Sequence, residues 1–139
     1  MRKDDCIFCK IANGDIPTNT IYEDDEFRVI MDAAPATKGH ALVLPKNHYA
    51  DIYEIDPDVL GRAIQVGQKV VKHATKVLEC DGYNLLQNNG TAAGQTVFHY
   101  HLHLIPRYAD MDNAQILTWP EKEGDADAIK AISESLKMD

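Results

Sequence analysis

The apolar pattern along the chain changes period, and each change marks an element. "CIFCKIANGDIP" reads as a short helix ending near Asn13-Gly14, where glycine offers a left-handed cap. "NTIYED" and "FRVIMD" are rich in β-branched and aromatic residues with acidic positions between them, and predict the two strands of a hairpin. "KGHALVLPKNH" predicts a third strand, entered through Gly39 and stopped by Pro45. The period then becomes helical. Val59, Leu60, Ala63, Ile64, Gly67, Val70, Val71, Ala74, Val77 and Leu78 recur behind Asp56-Pro57, a capping carboxylate followed by a proline suited to the first turn. This longest helix should end before Asp81-Gly82. Gly61 and Gly67 each weaken it by up to ~1 kcal/mol relative to alanine, and are expected to let another backbone approach.

"YNLLQ" predicts a fourth strand, "NNGTAAG" a loop, and Val97 to Ile105 a fifth strand stopped by Pro106. From Asp125 to Lys137 a last helix is expected, with Ala128, Ile129, Ile132 and Leu136 on one side. One long helix separates three strands from two. That order favours an α+β fold, a five-stranded antiparallel sheet with helices packed on it. A length of 139 residues fits a single domain, residues 1–139, with a helical tail from about residue 110.

Composition narrows the class. Apolar content of 45% and charged content of 26% suit a globular domain with one core, so disorder is not expected. A formal charge of -8 argues against a nucleic-acid polymer as partner, which needs a basic stripe, but leaves room for a small anionic ligand in a local pocket. There is no apolar run of membrane length, and "MRKDDCIFCKIANGDIP" lacks the apolar stretch of a signal peptide, so a cytoplasmic location is expected. The cysteines number three, and two form Cys6-x-x-Cys9, which in a reducing compartment reads as metal or redox chemistry before a disulfide.

The chemistry concentrates in "GQTVFHYHLHLIPRY". On a strand, His99, His101 and His103 share one face, opposite Tyr100, Leu102 and Leu104. An ordinary solvent face would carry Thr, Lys, Glu or Ser. A metal site is one reading, but the outer two histidines lie ~13 Å apart along an extended backbone, so the three should divide into at least two jobs. Nucleophilic catalysis at phosphorus is another. Neutral imidazole is a good nucleophile near pH 7, and a neighbouring imidazole can donate to a phosphate oxygen or a leaving group. "NNGTAAGQT" adds small residues, backbone amides and the Thr96 hydroxyl in front of the histidines.

His99-Tyr100-His101-Leu102-His103-Leu104-Ile105 matches the His-φ-His-φ-His-φ-φ signature of the histidine triad superfamily. Together with "CIFCKI", "YEDDEFRVIMD", "KGHALVLPKNH" and "NNGTAAGQT", it resembles the bacterial branch of the histidine triad nucleotide-binding proteins over about the first four-fifths of the chain. The resemblance implies a hydrolase or transferase acting on nucleotidyl compounds, phosphoramidates among them, through a covalent nucleotidyl-histidine. In it His101 is the nucleophile and His103 contacts phosphate near the leaving group. Gln95, Thr96 and Asn88 take phosphate-binding positions, Asp32 the ribose hydroxyls, and Ile7, Phe8, Ile11 and Ile30 an apolar pocket for a purine base. His40 resembles a buried supporting histidine. The resemblance also implies a structural zinc on Cys6, Cys9, His48 and His99, a spacing suited to tetrahedral coordination, and no catalytic cofactor. It further implies a homodimer with a sheet continued across a two-fold axis and the long helix near that axis. Three alternatives stand beside this: a dinucleoside polyphosphate hydrolase, a non-catalytic nucleotide-binding regulatory protein, and a metallohydrolase that uses the triad as ligands. The tail is longer than in the short eukaryotic relatives. Trp119-Pro120 resembles a pair that shapes the partner subunit's site there, at a different spacing.

Overall fold

A computed structural model describes residues 1–110 and 120–138; Trp119 therefore lies outside the described residues. Along the chain run α1 (Ile7–Ala12), β1 (Thr20–Glu23), β2 (Phe27–Met31), β3 (Ala41–Pro45), α2 (Pro57–Leu78), β4 (Gly82–Leu86), a 3-10 turn (Thr91–Ala93), β5 (Leu102–Arg107) and α3 (Ala126–Leu136). The strands form one antiparallel sheet in the order β1-β2-β3-β5-β4. The expected α+β class and five-stranded antiparallel sheet are observed.

Local chemistry accounts for α2. Asp56 Oδ1 accepts from Asp58 N–H at 2.8 Å and Val59 N–H at 3.3 Å, and Pro57 opens the first turn. The helix ends at Leu78, before Asp81-Gly82 as expected, with Glu79 in the left-handed region at φ 54°. The two helix glycines differ. A Cβ at Gly67 would stand 3.3 Å from Leu102 and 3.4 Å from Leu104, so this glycine lets α2 lie close on β5. Gly61 has nothing within 4 Å, and the expectation of a close approach there is not met.

The sheet is covered on both faces. Phe27, Val29, Val43, Leu102 and Leu104 pack under Val59, Ala63, Val66 and Val70 of α2. Ile30, Leu42 and Leu44 face the other way, against Ala12, Phe8 and Ile11 of α1. Buried on both faces, β3 reads as an unbroken apolar run. His103 pairs with Leu42 across the ladder and so lies on the α1 face.

The fifth strand differs from its sequence expectation. It begins at Leu102 and passes through Pro106 to Arg107. Arg107 directs its carbonyl at β4, where Asp81 N–H meets it at 2.8 Å, so Pro106 faces the β3 side. Pairing with β3 has already stopped at Leu104, and the Pro106 carbonyl is taken by the Thr37 hydroxyl at 2.7 Å. The proline's missing N–H therefore costs no ladder bond. Residues 97–101 do not continue the ladder; Tyr100 N–H bonds instead to the Tyr49 carbonyl at 2.6 Å. Among the described residues no helix is long and apolar enough to cross a membrane.

Candidate functional site

The histidine-bearing segment is shaped by a loop that closes on itself. Gly90 and Gly94 take φ of 89° and 93°, conformations glycine adopts without strain. Gln95 is buried inside this loop. Its Oε1 accepts from Gly90 N–H at 2.8 Å, and its amide donates to the Ala50 carbonyl at 2.7 Å and the Val97 carbonyl at 3.1 Å. Both amide hydrogens are spent, so the expected phosphate contact from this side chain gives way to a role in holding the loop. Thr96 is exposed, and Asn88 is half-buried with its amide beside Gly94; neither side chain bonds to another described residue.

Because the segment leaves the sheet before Leu102, the three histidines diverge instead of sharing a strand face. His101 and His103 stay together, with ring centroids 4.9 Å apart. His101 Nδ1 donates to the His99 carbonyl at 2.7 Å, so its Nε2 carries the free lone pair. A second chain of bonds orders His103. Ala36 N–H donates to His40 Nδ1 at 2.9 Å, which leaves the proton of neutral His40 on Nε2. That Nε2–H points at His103 Nδ1 at 2.9 Å, with Asp32 Oδ2 at 3.4 Å. His103 thus accepts on Nδ1 and presents an Nε2–H donor. Asp32 follows β2, its other oxygen held by Ala34 N–H at 2.8 Å.

Burial keeps these rings neutral. It pushes His101 below the ordinary histidine value, opposed by the His99 carbonyl and Asp32. Burial, with His101 and His40 alongside, brings His103 to about 4 against the pull of Asp32. The same hydrogen-bond order weighs against a metal on these residues. Asp32, His40 and His103 offer ligand atoms within 4.8 Å of one another. Yet ligation through His40 Nε2 would strip the proton from a ring whose other nitrogen already accepts a bond.

Phe8 walls the site, its ring edge-on to His101 at 5.1 Å. Phe8 and Ile11 are half-buried beside the core residue Ile30, which is 4% exposed. The expected apolar pocket residues are thus brought together, apart from Ile7, which is 54% exposed.

His99 belongs to a different cluster, with Cys6, Cys9 and His48, whose ligand atoms lie within 4.8 Å of one another. Its Nε2 donates to the Pro45 carbonyl at 2.8 Å, so Nδ1 faces Cys6 Sγ at 3.5 Å and Cys9 Sγ at 3.4 Å. His48 Nδ1 stands 3.4 Å from Cys9 Sγ. A tetrahedral zinc with Zn–S ~2.3 Å and Zn–N ~2.0 Å would set S···N edges of ~3.5 Å. Backbone amides of Cys9 and Lys3 point at the Cys6 and Cys9 sulfurs at 3.4 and 3.3 Å. Burial raises the Cys9 thiol above its ordinary value, a cost that a bound dication would offset. The donor types, tautomer and spacing all fit zinc. Sequence reasoning missed the carbonyl anchors of Pro45, Tyr49 and Ala50, because a backbone acceptor leaves no residue-type signal.

Comparison with known proteins agrees with this geometry. A family model described as the HIT domain matches residues 13–110. The adenosine 5'-monophosphoramidase HNT1 of Saccharomyces cerevisiae is 37% identical over 131 residues, covering 94% of this chain and 80% of its own. A crystal structure of a HIT family protein from Bacillus anthracis is 38% identical with a TM-score of 0.84, covering 96% of this chain and 95% of that one. The Zn-bound histidine triad family protein of Mycobacterium smegmatis is 37% identical with a TM-score of 0.73, covering 96% and 98%.

Proposed function

The chain belongs to the HIT family, and on that premise we propose that it is an enzyme, a nucleotidyl hydrolase that cleaves nucleoside phosphoramidates or related compounds at the α-phosphorus. The observation that carries this reading is the tautomer of His101, whose Nδ1–H is tied to the His99 carbonyl while Nε2 is left as a lone pair. The Nε2 lone pair forms the bond to phosphorus as the P–N bond breaks. The leaving nitrogen takes its proton by way of the exposed Thr96 hydroxyl, relayed from water, because His103 accepts on Nδ1 and its one proton, on Nε2, is turned to the phosphoryl oxygens. His103 instead donates a hydrogen bond from Nε2 to the phosphoryl oxygens. Water then cleaves the nucleotidyl-His101 intermediate and releases the nucleoside monophosphate.

In this reading Asp32 accepts from the ribose hydroxyls, Asn88 and the loop amides bind phosphate, and Phe8 and Ile11 hold a purine. Cys6, Cys9, His48 and His99 would hold a structural zinc. With four protein ligands it would serve structure and not catalysis, tying α1 and Phe8 to the segment that carries His101. The whole chain acts as one domain and forms a two-fold homodimer across the exposed edge of β4 and the adjoining flank of α2, where Ile64 and Leu85 are 48% and 41% exposed.

The test is a single turnover with adenosine phosphoramidate, quenched in base to protect a phosphorus–nitrogen bond. Peptide mass should find adenylate on the fragment that contains His101, and His101→Asn should lack both adduct and turnover. Near wild-type turnover by His101→Asn would overturn the reading.

A further inference from the structure

Two apolar surfaces of this chain lie open, away from the histidines. The first is a groove of about 590 Å³ between the β1–β2 hairpin and the C-terminal half of α2, lined among others by Ile21, Tyr22, Met31, Val70, Val77 and Leu78. Met31 shares the sheet face of Phe27 and Val29, so the groove is on the α2 face, opposite the catalytic candidates. The second surface is α3. Every residue from 120 to 138 is exposed, and Ile129, Ile132 and Leu136 are 61%, 59% and 71% exposed on one helical stripe.

The two surfaces match in length, polarity and charge. The groove is walled by α2 from Lys69 to Leu78, ~15 Å of helix at 1.5 Å per residue. The 11 residues of α3 span ~16 Å. The α2 wall, Lys69 to Leu78, carries Lys69, Lys72 and Lys76 and no acidic residue, while the β1–β2 hairpin opposite carries Glu23, Asp24, Asp25 and Glu26. The segment that ends in α3 carries Glu121, Glu123, Asp125, Asp127 and Glu134 against Lys122, Lys130 and Lys137. Acidic flanks on an apolar stripe suit the basic α2 wall of this apolar groove.

We propose that α3 of a second copy of this chain lies in the groove, stripe inward, and that the exchange is reciprocal. Within one chain the helix and the groove stay apart, both exposed. A two-fold exchange buries both surfaces in both copies with no further sequence required. Residues 109–125 can span at most ~60 Å, so the tether does not forbid the crossing. The contact is independent of the histidine chemistry. It also lies on the flank of α2 away from Leu85, so it is separable from a β4-edge contact.

Full-length chains bearing Val77→Cys, isotopically labelled, are mixed with unlabelled chains bearing Ile132→Cys in a glutathione redox buffer, and disulfide-linked peptides are mapped by mass. The account expects a linkage between positions 77 and 132 that joins labelled to unlabelled peptide. In the double variant it expects that linkage mainly in covalent dimers. A covalent monomer linked 77 to 132 would mean docking within one chain and would overturn the proposal, as would no such linkage at 100 µM. Amide exchange of the unsubstituted chain gives a second readout. Positions 126–136 should be protected at least ~10-fold more at 100 µM than after dilution to 0.1 µM, and Ile132→Asp should remove that gain. Exchange in α3 that does not depend on concentration would contradict the exchange.

Discussion

His99 and His101 stand two residues apart and are held in opposite tautomers. His99 spends Nε2–H on the Pro45 carbonyl and turns Nδ1 to the two sulfurs. His101 spends Nδ1–H on the carbonyl of His99 itself and turns Nε2 to the open site beside His103. The same side chain is thereby made a candidate metal ligand in one case and a candidate nucleophile in the other. What differs is which backbone carbonyl each ring reaches. Had residues 97–101 continued the β5 ladder, the His99 carbonyl would have been positioned by that ladder, and all three rings would have pointed one way. The irregular backbone before Leu102 separates the two jobs.

The comparison predicts a hierarchy of effects. His101→Asn should lower turnover by ~10⁴-fold or more while changing the Kd for nucleoside monophosphate by less than ~3-fold, read by steady-state kinetics and calorimetry. Cys9→Ala acts on the other ring. It should lower Tm by ~10 °C and abolish bound zinc by metal analysis, and raise KM more than it lowers kcat, because it loosens Phe8 and leaves the His101 tautomer intact. Equal losses of kcat from both variants would mean that the two clusters are not separate in function.

His40→Asn should cost ~10²-fold in kcat, because His103 is then free to present either nitrogen. His40→Gln, which can place an amide donor near His103 Nδ1, should recover part of that loss. The smallest effect is on pH. His103 has a folded-state pKa of about 4 against an unfolded value of ~6.5, so the unfolded chain binds the proton first. Stability from this group is complete above pH 6.5 and is lost as pH falls through about 4. Tm should decline over that window, and His103→Asn should flatten part of the decline. Because His101 is also lowered, kcat/KM should stay level somewhat below pH 6.5 before it falls.

Much of this was legible in residue order. The Asp56-Pro57 start, the apolar run of β3 and the five-strand pattern around one long helix all report directly the hydrogen bonding and burial that produce them. The grouping of Cys6, Cys9, His48 and His99 followed from the family resemblance and is matched by one cluster of ligand atoms in the structure. The start of β5 was not legible, because it depends on Tyr100 N–H choosing the Tyr49 carbonyl, a bond between backbones that carries no side-chain signature. Pro106 misled for a related reason. A proline stops a strand only where its missing N–H is needed, and the early end of the β3 pairing is a tertiary fact. The loop-closing bonds of Gln95 were not legible, because an amide beside a glycine loop serves equally well to bind phosphate or to close the loop. Only the three bonds it makes decide between them.

Long-range nitrogen–proton NMR of the histidine rings tests the division of the triad most directly, in the ligand-free protein at pH 7. The account predicts neutral His101 protonated on Nδ1, and neutral His40 and His103 each protonated on Nε2. A His101 protonated on Nε2, or on both nitrogens at that pH, would contradict it, since no lone pair would then face phosphorus.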